Sequence, residues 1–192
     1  MNHAIAAPEF DPALIARYDG RGPRYTSYPT ALQFHAGFDE RALRAAIQES
    51  NQAPVPPALS LYVHVPFCRN PCFYCGCTRI ITRDPARADR YLRYLQCELE
   101  RIAPLFDQGR EVRQLHLGGT PNFLDLPRMQ NLMAMLAQHF PFAPEAACEF
   151  GIEVDPRFAD ADYIHGLAQL GFNRLSLGIQ DFDPAVQQAV NR

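Results

Sequence analysis

The sequence has no apolar run approaching the ~18–20 residues that a membrane-spanning helix requires. Its opening stretch, MNHAIAAPEFDPALIARYDG, lacks a basic segment followed by an apolar one, so it does not read as a secretory signal. Nor is there an excess of positive charge. The formal net charge of -3 gives no reason to expect nucleic acid or an acidic membrane surface as a partner. Also missing is any spread of cysteines along the chain: four of the six fall between Cys68 and Cys77. Disulfide frameworks belong to oxidising compartments and staple distant parts of a fold, so this crowding argues against them. The expected location is the cytoplasm, with a hydrophobic fraction of 47% sufficient for an ordinary globular core.

What is present is CRNPCFYCGC, with the spacing C-x3-C-x2-C-x-C. Structural zinc sites more often use two separated cysteine or histidine pairs, and a single tight run fits that pattern poorly. Plant-type ferredoxin spacing also differs. Three thiolates from one loop can instead hold three irons of a 4Fe-4S cube, leaving the fourth iron open to a substrate or cosubstrate.

Around this loop the chain alternates strand-like and helix-like segments. LSLYVHV (59–65), VRQLHLGG (112–119), CEFGIEVDP (148–156) and NRLSLGIQDF (173–182) read as strands. Leu92, Leu95, Leu99, Ile102 and Phe106 give residues 84–106 one apolar helical face. Met129, Leu132, Leu136 and Phe140 mark a second helix starting near Pro127. Ile164, Leu167 and Leu170 mark a third over 159–170, closed by Gly171, and PAVQQAVNR begins a fourth. Repeated βα units predict a parallel sheet covered by helices, an α/β fold of partial (β/α) barrel type ending after its fourth strand. Residues 1–57 read as an extended arm and linker, and 58–192 as the core. Stopping at Asn191-Arg192, just inside a helix, the chain reads as a piece of a longer protein with an open sheet edge.

In parallel α/β folds the site lies at the C-terminal ends of the strands. Those ends are the cysteine loop, GGTP (118–121), Glu153 with Asp155, and Gln180 with Asp181. Only one of Glu153 and Asp155 is expected to face inward, the other capping local structure. Cys97 and Cys148 read as buried apolar thiols, and His64 and His116 as packed, hydrogen-bonded histidines.

The C-x3-C-x2-C triplet after a first strand resembles the radical S-adenosylmethionine (SAM) enzymes. With RYTSYPTALQFH, LYVHVPFCRNPCFYCGC, GGTPNFL, IEVDPR and GFNRLSLGIQDFDPAVQQAVNR, the chain is similar, from about Gly22 to Arg192, to the N-terminal part of the oxygen-independent coproporphyrinogen III oxidase family. The C-G-C ending at Cys77 and the YTSYPTA arm set that family apart from related haem chaperones. The resemblance implies that Cys68, Cys72 and Cys75 ligate a 4Fe-4S cluster. It implies that Tyr62, Gly118 and Glu153 line one SAM, and that Tyr74, Gly119, Thr120, Gln180 and Arg192 meet a second. The implied reaction converts two propionates of coproporphyrinogen III to vinyl groups, giving protoporphyrinogen IX, with no separate catalytic side chain assigned. It also implies a one-electron donor such as flavodoxin or ferredoxin, a monomer, and no membrane or nucleic-acid partner. A haem-binding or haem-trafficking relative that keeps the cluster, a zinc-stapled scaffold and an inactive fragment are the alternatives.

One segment departs from the family pattern. The family reads G-G-G-T-P where this chain has Gly118-Gly119-Thr120-Pro121, one glycine fewer. That predicts either flipped facing along the second strand or a shorter loop, unless the DQGREV segment upstream supplies a compensating residue.

Overall fold

The computed structural model describes residues 11–20 and 31–192, and the chain divides into two units, residues 1–42 and 43–192. In the first, α1 (Pro12–Tyr18) starts at Asp11, whose carboxylate accepts from the N–H groups of Ala13 and Leu14. The helix α2 (Glu40–Asn51) begins at the boundary between the units. These two helices interrupt the region read as an extended arm, and residues 52–58 are irregular. The Tyr- and Pro-rich stretch 21–30 lies outside the described residues.

The second unit is a parallel α/β sheet. Strands β1 (Leu59–Val65), β4 (Val112–Gly119), β5 (Glu149–Val154) and β6 (Arg174–Leu177) lie in that order, every neighbour parallel. Two short strands, β2 (Phe67–Cys68) and β3 (Ile80–Ile81), pair separately at the base of the cysteine loop. The connecting helices are α3 (Ala86–Ile102), α4 (Leu126–His139) and α5 (Ala161–Gln169), and α6 (Pro184–Ala189) follows β6. Carboxylate caps set three of these starts. Asp125, Asp160 and Asp183 accept from the N–H groups of Arg128, Tyr163 and Ala185. The fourth predicted strand is shorter than its sequence suggested, because the chain turns at Gly178.

Strand alternation assigns the two faces of the sheet. Val63, Val65, Leu115, Leu117, Ile152 and Val154 are buried in one core with Leu92, Leu99, Met129, Leu132, Leu136 and Leu167 of the helices. Tyr62, His64, His116 and Glu153 occupy the opposite, polar face, and form a connected cluster there.

The shortened glycine segment is absorbed by the sheet itself. Leu59 pairs with Val112 but Ser60 pairs with Gln114, so Arg113 is an extra residue bulged out of β4. Val112, Leu115 and Leu117 are consequently all buried, so the facing along β4 is not flipped. Beyond the bulge Gly119 stays level with Val65, and the Thr120 N–H donates to the Val65 carbonyl at 2.9 Å.

Candidate active site

The cysteine loop is closed at its base by a short ladder. The Ile80 N–H donates to the Pro66 carbonyl (2.7 Å) and the Thr82 N–H to the Cys68 carbonyl (2.9 Å). Along its length other elements hold it. Arg69 lies over the rings of Phe123 and Phe158, 5.3 and 5.0 Å from their centres, and Arg83 donates to the Asn70 amide oxygen at 2.7 Å. Arg79 donates to the Cys75 carbonyl (2.6 Å), and His64 meets the Thr78 carbonyl at 2.9 Å. From the far end of the chain, Asn191 donates its amide to the Pro71 carbonyl (2.6 Å), and the Phe73 N–H donates to Val190 (3.0 Å). A proline-containing loop with few ladder hydrogen bonds thereby acquires a defined path.

Facing this loop is a cavity of about 260 Å³ at the C-terminal ends of the strands. Its walls carry Cys68, Cys72, Tyr74, Cys75, Gly119, Thr120, Glu153, Gln180 and Arg192. All the sequence-predicted site residues except Tyr62 and Gly118 therefore line one hollow. Those two sit just behind it on the polar face. Tyr62 stacks on His116, ring centres 5.9 Å apart, and its hydroxyl lies 3.2 Å from His64 Nδ1. Burial and the Glu153 charge push its phenol up. The Tyr62 hydroxyl lies where a Cβ on Gly118 would stand. Two larger hollows lie elsewhere, one of about 700 Å³ between α3 and α4 and one of about 480 Å³ at the N-terminal ends of β1, β4 and β5. Neither holds a thiol loop at a strand C-terminus, so size does not select the site here.

Both Glu153 and Asp155 line the cavity, contrary to the expectation that only one would. Residues two apart on a strand share a face, which the sequence reading overlooked. Glu153 accepts from the Gly119 N–H at 3.1 Å and lies 3.4 Å from His116 Nε2. Asp155 does also cap: it accepts from the Arg157 N–H, and its carboxylate is shared by Arg157 (2.6 Å) and Arg192 (2.7 Å). Burial alone would raise its pKa, but the hydrogen bonds and charges of Arg157 and Arg192 hold it below the usual carboxylate range. Gly119, at φ +82°, is in the left-handed region, where its Cβ would also strike the Val65 carbonyl. Gln180, at φ 74°, takes that conformation without being glycine, a strain expected at a functional turn.

Six cysteines are free thiols in the structure. Cys68 Sγ lies 3.1 Å from the Thr120 hydroxyl. Desolvation pushes the Cys75 thiol up, yet hydrogen bonds from the Cys77 N–H and from Arg79 outweigh it and leave it below its ordinary value. Burial and the neighbouring Cys75 push Cys77 the other way. Cys97, expected to be buried, is exposed on the outer face of α3, two positions from both Leu95 and Leu99 of the apolar stripe and so turned away from it. Cys148 is half-buried against the core and donates to the Ala143 carbonyl at 3.1 Å. His64 and His116 are half-buried and hydrogen-bonded, as read. Among the described residues no three Cys, His, Asp or Glu side chains converge on one point, as the ligands of a single ion would. Sequence reasoning passed over Asn70, Arg79, Ser176 and Gly178, which also line the hollow. Gly178 had a legible signal: a glycine directly after a strand, and the space of its Cβ is taken by Arg192.

A sequence model of the Radical SAM superfamily matches residues 62–192, from the first strand through the whole site. The chain belongs to the radical SAM superfamily. That membership implies a 4Fe-4S cluster and SAM, and the free thiols of one loop are a donor set suited to iron. Among curated relatives, oxygen-independent coproporphyrinogen III oxidase of Pseudomonas aeruginosa is 48% identical over 184 residues, 95% of this chain and 40% of its own length. The Escherichia coli protein of that name is 48% identical over 96% of this chain and 39% of its own, and the Synechocystis one 46% over 100% and 41%. The solved structure of coproporphyrinogen III oxidase from Escherichia coli, described as a radical SAM enzyme, superposes with a TM-score of 0.78 at 46% identity. It covers 96% of this chain and 39% of the solved one. The chain thus spans about 40% of the length of the relatives it matches. Among the described residues no helix is long and apolar enough to cross a membrane.

Proposed function

We propose that this chain supplies the cluster- and SAM-binding half of a cytoplasmic coproporphyrinogen III oxidase, which forms protoporphyrinogen IX without oxygen. The observation that carries the reading is the convergence of three loop thiols with Gly119, Glu153, Gln180 and Arg192 on one cavity at the strand ends. Cys68, Cys72 and Cys75, free thiols lining one cavity, would each take a separate iron. Bound there, the cluster and SAM would supply one-electron reductive cleavage and an adenosyl radical able to take hydrogen from the substrate's propionate chains.

The chain's own residues bind and orient. Glu153, fixed by the Gly119 N–H, offers its carboxylate to an ammonium or to ribose hydroxyls, and with Tyr62 and Gly118 would hold one SAM. Arg192 is oriented by Asp155 and the Gly178 carbonyl, through Nη1 and Nε, which leaves Nη2 to meet a carboxylate. With Tyr74, Gly119, Thr120 and Gln180 it would hold a second SAM. A one-electron donor of the flavodoxin or ferredoxin kind would reduce the cluster.

Anaerobic reconstitution tests the reading. It should give a brown protein absorbing near ~400 nm with about four irons per chain, and it should cleave SAM to 5′-deoxyadenosine when reduced. The complete enzyme should then convert coproporphyrinogen III to a vinyl product. One tightly held zinc, or SAM cleavage with no porphyrinogen product, would refute it.

A further inference from the structure

The basic residues of this acidic chain are unevenly placed. All 18 are arginine, and residues 69–93 hold six of them against two aspartates, a local positive excess in a chain of net charge -3. Four run outward from the cysteine loop. Arg79 and Arg83 donate to Cys75 and Asn70 of that loop, and Arg87 and Arg90 continue along the first turns of α3. All four are exposed.

Carboxylates engage other arginines of the chain instead. Arg128, Arg157, Arg174 and Arg192 each form an ion pair with a carboxylate. Among the described residues, none of Arg79, Arg83, Arg87 and Arg90 does so; Arg90 lies over the exposed Tyr94 ring instead. Their position also works against the helix. Cations near a helix N-terminus oppose its macrodipole, and two of these four occupy that end of α3. Arg79 and Arg83 hold the loop, but Arg87 and Arg90 have no carboxylate partner among the described residues and oppose their own helix, so stabilising the fold does not account for them. Beside this arginine stripe, Ile81 is 45% exposed and stands level with Cys68 in the short ladder, and Tyr94 is 64% exposed. Apolar contacts edged by unpaired cations are the composition of a transient protein interface.

We infer that this stripe is the docking surface for a small acidic one-electron carrier protein. The inference rests on the cluster reading above, because the surface adjoins the loop that would hold the cluster. In the docked complex one electron would leave the donor's low-potential carrier, oxidising it by one. The same electron would enter the cluster, reducing it by one, with no bond made or broken. Nucleic acid is the rival occupant of an arginine stripe. The position of the stripe beside the thiol loop, together with its exposed isoleucine and tyrosine, favours the redox protein.

Charge reversal of Arg87 and Arg90 to Glu tests the surface without touching the cavity. Acidic residues at these positions complement the helix dipole, so the double variant should fold. Fluorescently labelled flavodoxin should bind the reconstituted protein with a Kd that rises steeply between about 20 and about 300 mM salt. The double variant should weaken that binding at low salt by about tenfold or more. The rate of cluster bleaching by reduced flavodoxin should fall in the same proportion, while bleaching by dithionite stays within about twofold. Arg101→Glu, at the opposite end of α3, should change none of these. Equal flavodoxin affinity in wild type and double variant would overturn the inference, as would salt-sensitive binding of duplex DNA with no flavodoxin binding. Should the protein assemble no cluster and still bind flavodoxin in a charge-dependent way, the surface stands and the cluster reading falls.

Discussion

Gly118 and Gly119 are adjacent, yet different physics makes each a glycine. A Cβ on Gly118 would meet the tip of the Tyr62 side chain, which is 62% exposed and free to swing away. A Cβ on Gly119 would meet the Val65 carbonyl from a backbone already at φ +82°. Gly119→Ala is therefore expected to cost about 1–3 kcal/mol in urea unfolding, and Gly118→Ala under about 1 kcal/mol. Equal costs would contradict this account. The cysteines divide in the same way. Cys72→Ser should abolish the ~400 nm absorbance after reconstitution, whereas Cys97→Ala should leave iron content unchanged, since Cys97 projects from the outer face of α3.

Between elements, the join of greatest consequence is made by one buried amide. Asn122, 3% exposed, follows β4 and pairs with the backbone of Asp155 after β5. Its Nδ2 donates to the Asp155 carbonyl at 2.8 Å, and its oxygen accepts from the Asp155 N–H at 3.1 Å. The side chain thus acts as one further strand residue, holding the Gly119-Thr120 turn level with the Glu153–Asp155 end. Asn122→Ala leaves a buried donor and acceptor unpaired and should cost about 2–4 kcal/mol. It should also loosen SAM binding measured by equilibrium dialysis. A stable variant with unchanged SAM affinity would show that the two rim segments hold their positions independently. The bulge at Arg113 belongs to this scale too: it absorbs a register change that the count of glycines alone made look like a defect.

For the molecule as a whole, the arginine-clamped Asp155 makes stability depend on pH in a definite direction. Its folded pKa lies below its unfolded value of about 3.9. Its contribution is therefore fully present above that unfolded value and is lost as pH falls through the lower folded one. The difference in urea midpoint between wild type and Asp155→Asn should be constant from about pH 5 upward and narrow below about pH 4. A difference that stays constant through the acid range would show that the clamp adds no charge-dependent stability.

Most of the parallel sheet was legible in the chain. β1 and β4 match their predicted limits, because alternating apolar residues run along both, with Pro66 just past β1 and Gly118-Gly119 closing β4. The cysteine loop, the glycine turn, Glu153 and Gln180 were legible as strand-end residues, since parallel βα topology carries every such end to the same rim, whereas Arg192, beyond α6, was named only through the family resemblance. The two N-terminal helices were not legible, because Pro- and Gly-rich neighbours masked short helical segments whose starts depend on local capping. The clamp by Asn191 on the loop 120 residues earlier was decided by the tertiary structure alone, whereas the exposure of Cys97 and the shared face of Glu153 and Asp155 follow from helix and strand periods that the sequence reading misapplied. Sequence determines which residues reach the rim, through local periodicity. Which of them touch there depends on register, on a single bulged residue and on long-range hydrogen bonds, none of which has a local signature.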